Sequence, residues 1–217
     1  MSEIGPWPSL LLVGPTGSGK SPLGQELERR GLGGRRCVHF DFGANLRRIA
    51  AAPDGTAGLA AEELAAVRAS LETGALFEER DTAVILKIVR SFAEERGLSP
   101  GSLLVLNGLP RHQGQAEALD KAIVVERVVY LQADAAVIRE RLRINPGGDR
   151  TGRVDDSIEA VERRLADFRE RTFPLLDHYR RRGVPVTALP VTAAMTAAEM
   201  SEALAAIMMK DEQGVRL

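Results

Sequence analysis

A parallel β-sheet covered on both faces by α-helices is the fold this sequence predicts, and three observations carry it. Five short apolar runs, Leu10–Val13, Cys37–Phe40, Leu103–Leu106, Val128–Leu131 and Val184–Ala188, are too short for helices and end near turn-forming residues, as buried strands do. Helical periodicity fills the stretches between them, and strands alternating with helices build a parallel sheet with helices on its faces. A glycine-rich loop joins the first run to the first helical pattern.

Each helix has a local reason. Ala60–Thr73 is rich in Ala, Leu and Glu, all good helix formers. Glu78–Arg96 places Val84, Ile88 and Phe92 on one side. Asp134–Ile144 opens on an aspartate suited to an N-cap, and Asp156–Arg182 is long and laced with charge. Thr196–Met209 begins with threonine and has Glu199 three residues on, a capping box. Two stretches break the pattern: Ala51–Gly58, a turn between helices, and Asn145–Gly152, glycine-rich and polar in a helical neighbourhood, as mobile lids are.

The 217 residues suit a single domain over 1–217 that needs no disulfide or metal staple, and one cysteine, Cys37, excludes an internal disulfide. Twenty-nine basic and thirty acidic residues argue against a general nucleic-acid binder. No apolar run is long enough for a membrane span, and Met1–Pro8 lacks the charge and apolar core of a secretory signal, so the expectation is a cytoplasmic protein. His39, His112 and His178 share no ligand spacing, and no zinc site is expected.

The chemistry starts at Gly14-Pro-Thr16-Gly17-Ser18-Gly19-Lys20-Ser21, a G-x-x-x-x-G-K-S phosphate loop flanked by a strand and a helix. Its glycines let backbone N–H groups turn towards phosphates, and the helix N-terminus adds partial positive charge. Lys20 is expected at the β- and γ-phosphates and Ser21 on Mg²⁺. Pro22 removes one N–H from the first helical turn, a position that tolerates proline.

Four further blocks resemble the adenylate kinase-like nucleoside monophosphate kinases with a short lid. They are His39-Phe-Asp41-Phe42-Gly43-Ala44-Asn-Leu46-Arg47, Gly74-Ala-Leu76-Phe77-Glu-Glu79, Leu104-Val-Leu-Asn107-Gly108-Leu-Pro110-Arg111-His-Gln-Gly-Gln115-Ala, and Thr151-Gly-Arg153-Val-Asp155-Asp156 followed by Arg164-Leu and Thr172-Phe-Pro174. Their order and spacing match from about Leu10 to Arg182. The resemblance implies transfer of the ATP γ-phosphoryl to a nucleoside monophosphate, with AMP the leading acceptor, Mg²⁺ as cofactor and a monomeric chain. It implies an acceptor-binding insert at about 42–74 and a lid at about 143–155. Arg47 and Arg111 would grip the acceptor phosphate, Gln115 would face its base with Phe42, Leu76, Phe77 and Gly108 nearby, and Arg153, Arg164 and Arg141 would reach the transferring group. Arginine suits these roles because its planar fork binds phosphate oxygens bidentately.

Three departures matter. Phe42 and Ala44 stand where the family has a threonine and an aspartate, and Asn107 replaces the strand-end carboxylate that organises Mg²⁺. Asp41, at the end of the neighbouring strand, is expected to restore that charge and act with Ser21 at the metal, or else to cap or turn the chain after its strand or to pair with Arg47 or Arg111. A P-loop kinase for another small acceptor, or a nucleotide binder without turnover, are the alternatives the residues leave open. Arg169, Arg171 and Arg180–Arg182 read as a solvated helix face.

Overall fold

The computed structural model describes residues 6–52, 56–148 and 158–214. Its sheet contains β1 (Trp7–Val13), β2 (Cys37–Asp41), β3 (Leu103–Asn107), β4 (Ile123–Gln132) and β5 (Val186–Pro190). All pairings are parallel, in the order β2-β3-β1-β4-β5. The chain leaves the central strand β1 for one edge and later crosses to the other, which leaves a crevice beyond the carboxyl ends of the middle strands.

Strand alternation sorts the core into two layers. Leu11, Val13, Val38, Phe40, Leu104 and Leu106 face one side. There they pack against helices α2 (Phe42–Ala51), α3 (Ala61–Thr73), α4 (Thr82–Glu95), α5 (Gln113–Leu119) and α8 (Leu175–Arg181). Leu10, Leu12, Cys37, Leu103 and Val105 face the other, under α1 (Lys20–Arg30) and α9 (Ala197–Gly214). α6 (Ala135–Ile144) and α7 (Ile158–Asp167) stand on either side of the segment where the lid is expected. Among the described residues no helix is long and apolar enough to cross a membrane.

Local chemistry explains the ends of the elements. Asp134 accepts from the Val137 N–H at 2.8 Å and caps α6. Glu199 accepts from the Thr196 N–H while its own N–H reaches the Thr196 hydroxyl, the expected capping box. The expected helix Glu78–Arg96 starts only at Thr82, because residues 79–81 form a 3₁₀ turn. β5 lies two residues beyond Val184–Ala188, since Gly183, at φ 73°, reverses the chain and Val184 still bonds back to Tyr179. The long helix expected over 156–182 is broken. α7 gives way to a π turn at Phe168–Thr172, where Phe173 N–H bonds to the Phe168 carbonyl, and α8 follows. Pro174 has no N–H to continue an α-helical ladder, which accounts for the break. α5 was not expected; His112 caps it by accepting from the Gln115 N–H at 3.3 Å.

α1 lies close on the sheet because Gly24 has no side chain. A Cβ there would collide with the buried His39 ring. The His39 ring is nearly buried, so either it or the helix must shift to admit a methyl group. Gly24→Ala should cost about 1–3 kcal/mol by overpacking. A thermal melt checks this, and an unchanged midpoint would show that the helix can slide away. Burial lowers the His39 pKa and keeps the ring neutral against the helix.

Candidate active site

The phosphate loop leaves β1 and enters α1 through Gly17 and Gly19, at φ 80° and 98°. These are left-handed conformations that glycine adopts without strain. Lys20 folds its ammonium back over the loop and donates to the Gly14 and Pro15 carbonyls at 2.7 and 2.8 Å. The positive head is therefore held at the loop's mouth. Thr16 lines the same space, whereas Ser18 is fully buried inside the loop.

Residues 37, 39 and 41 of β2 point to the α1 face, and 103, 105 and 107 of β3 do the same. The register pairs Asp41 with Asn107. That geometry brings three polar groups together at the strand ends. Ser21 Oγ donates to Asp41 Oδ2 at 2.7 Å, and Asn107 Nδ2 donates to the same oxygen at 2.8 Å and to Ser21 Oγ at 2.9 Å. Asp41 Oδ1 accepts from the Ala44 N–H at 2.9 Å and caps α2. Of the roles expected for Asp41, the cap is observed, on Oδ1, while Oδ2 faces Ser21. These are hard oxygen donors of the kind Mg²⁺ takes. Among the described residues no three His, Cys, Asp or Glu side chains gather as a protein-only metal cage.

A cavity of about 360 Å³ runs from this corner to the segments around residues 42–47, 70–77 and 107–115. At its far end stand Arg47, Leu76, Phe77, Gly108, Arg111 and Gln115, with Phe42 on the wall. Phe42 and Phe77 meet edge to face, ring centres 5.7 Å apart, and both are nearly buried. The Phe42 ring therefore closes the pocket wall rather than standing free in it. Gln115 is tied at both ends of its amide. Nε2 donates to the Phe77 carbonyl at 2.6 Å and Oε1 accepts from the Arg111 N–H at 2.7 Å. Each end keeps one further hydrogen-bonding position.

Arginines dominate the charge. Burial pulls the Arg111 pKa down, Asp167 opposes that, and the nearby Arg164 and Arg171 add to it. Arg163, Arg164 and Asp167, all from α7, complete the wall. A cavity with this much positive charge and little exposure suits a polyanion. Sequence reasoning missed Asp167 and Arg163, which carry no motif; Asp167 lies one helical turn on from Arg164, and Arg163 simply precedes it.

One expected site residue stands elsewhere. Arg141 does not line the cavity. It is 3% exposed and lies behind the loop, where Nη1 donates to the Thr192, Ala193 and Met195 carbonyls and Nε to that of Gly17. It braces the phosphate loop against the 192–195 turn. Arg153 and residues 149–155 of the lid lie outside the described residues. Arg171, read as solvated, makes a bidentate bridge to Glu78 instead, at 2.8 and 2.9 Å.

A phosphate loop after the central strand of a 2-3-1-4-5 parallel sheet, sharing one cavity with an arginine-lined insert, defines a P-loop kinase. Comparison with known proteins narrows the class. A family profile described as AAA domain matches residues 10–163. The adenylate kinase of Parasynechococcus marenigrum (strain WH8102) is 36% identical over 184 residues, covering 82% of this chain and 87% of the relative. That of Synechococcus sp. (strain CC9311) is 33% identical over 181 residues, covering 81% and 86%. That of Synechococcus sp. (strain RCC307) is 34% identical over 180 residues, covering 80% and 85%. The chain belongs to the adenylate kinase family.

Proposed function

We propose that the protein transfers the γ-phosphoryl of ATP to AMP, giving two ADP, as a cytoplasmic monomer that uses Mg²⁺. The observation that carries this is the single cavity with Lys20 and Ser21 at one end and Arg47, Arg111 and Gln115 at the other. In this reading the loop amides and Lys20 cradle the ATP phosphates, and Arg47 and Arg111 hold the acceptor phosphate in line. Arg164, and Arg153 from the lid, neutralise charge on the transferring group, so positioning and electrostatics suffice without a protein nucleophile. The Phe42–Phe77 wall excludes water from the acceptor base, and the remaining positions of Gln115 are available to read its edge.

Ser21 and Asp41 would hold Mg²⁺, with most of its other ligands coming from phosphate and water. When bound, the ion neutralises charge on the β- and γ-phosphate oxygens. The role assigned to Asp41 makes a test. Asp41→Asn should raise the Mg²⁺ concentration that gives half-maximal turnover and weaken Mg²⁺-dependent ATP binding in calorimetry by about tenfold. Asn107→Asp in the same chain should recover both. An Mg²⁺ titration unmoved by Asp41→Asn would leave Asp41 as a helix cap only, a role asparagine fills equally well, so the thermal midpoint should hardly move.

A coupled assay across AMP, GMP, CMP, UMP and their deoxy forms tests the whole reading. Turnover is expected with AMP first. Preference for another monophosphate would keep the kinase and change its acceptor. ATP binding without any turnover would favour the second reading, a nucleotide binder, which the amide at Asn107 supports by placing a donor where the family has a carboxylate.

A further inference from the structure

The acceptor loop is strapped at both ends by arginines from the helix that follows the lid. Arg163 Nη1 donates to the Thr73 carbonyl at 2.9 Å, at the last turn of α3. Eight residues on, in the π turn, Arg171 grips Glu78 through both nitrogens. The carboxylate of Glu78 also lies 3.4 Å from His112 Nε2. The Nδ1 of that ring accepts from Gln115, so Nε2 carries the hydrogen and donates to the Phe77 carbonyl at 3.0 Å. The same carbonyl receives Gln115 Nε2, and Gln115 Oε1 holds the Arg111 N–H. The residue after Arg171 closes the ring: Thr172 Oγ1 donates to the Arg111 carbonyl at 2.8 Å. Adjacent residues of one π turn therefore fix the acceptor loop and the backbone of the arginine opposite it.

The geometry points to Glu78 and Arg171 as a positioning pair for the acceptor nucleotide. The pair sets the Phe77 carbonyl, Gln115 and Arg111 without touching substrate itself, and it makes no contact with the phosphate loop. Arg171 holds the Glu78 carboxyl below its usual range, which favours the ionised bridge. This inference rests on the proposed function for the identity of the acceptor, but not for the strap.

The test uses Glu78→Gln, Arg171→Gln and the exchanged pair Glu78→Arg with Arg171→Glu in the full chain. Both side chains are partly exposed, so the single variants should fold, and a thermal melt checks it. The KM for AMP should rise about fivefold in each single variant, with kcat and the KM for ATP within about twofold. The exchanged pair should recover most of the loss. An unchanged KM for AMP, or equal rises for AMP and ATP, would overturn the assignment. Hydrogen exchange in the nucleotide-free protein supplies a second readout. The Arg111 and Gln115 amides should exchange faster in Arg171→Gln while the α1 amides do not, and unchanged rates would also overturn it. A wild-type chain inactive on AMP would sink the functional reading alone, leaving the strap to be decided by exchange.

Discussion

Lys20→Met is expected to lower kcat by about a hundred- to a thousandfold, the scale set by losing one preorganised donor at the transferring phosphate. The stem of lysine is kept and only the charge is lost. Lys20 makes its described bonds to two loop carbonyls and carries no core packing, so the fold has little to lose. The thermal midpoint should move by no more than a few degrees, since about 1 kcal/mol shifts a chain of this size by about 2–4 °C. ATP should still bind, held by the loop amides and the helix terminus. Steady-state kinetics beside a melt separates the two effects. Activity within tenfold of wild type, in a folded variant, would show that the loop does not handle the transferring phosphate.

Arg111→Met should produce a sharper dissociation of stability from function. The Arg111 charge is disfavoured by burial and by two neighbouring arginines, and only Asp167 opposes them. Methionine removes that cost and keeps much of the volume, so the thermal midpoint should hold or rise. Its backbone ties to Gln115 and Thr172 do not involve the side chain and should survive. The acceptor, however, loses a charge-assisted contact worth roughly 1.5–3 kcal/mol. Affinity for AMP should fall about 10- to 150-fold while ATP binding changes little. Calorimetric titration of each nucleotide checks it. Equal losses for both would place Arg111 at the donor phosphates instead.

The legibility of the site varied by element for physical reasons. The phosphate loop could be read in full because its chemistry is local: eight consecutive residues supply the turn, the amides and the lysine. Arg47 and Arg111 could be read through motifs that follow the ends of β2 and β3, where a strand hands its side chains to the crevice. Arg141 could not, because its spacing is the same whether the guanidinium faces the cavity or turns behind the loop to three carbonyls. Arg171 was misread for a related reason. Its place on a charged helix looks solvated until the π turn rotates it onto Glu78.

The α/β alternation, the two-sided burial of the strands and the phosphate loop were legible in the residues alone, because they depend on periodicity and short-range backbone chemistry. Packing across the sheet set the register that places Asp41 opposite Asn107 and brings both to Ser21. Packing also set the π turn that ties residues 171 and 172 to segments 93 and 61 positions away. Contacts of that span arise when packing the two core layers fixes strand register and helix rotation together, and no local pattern encodes that outcome.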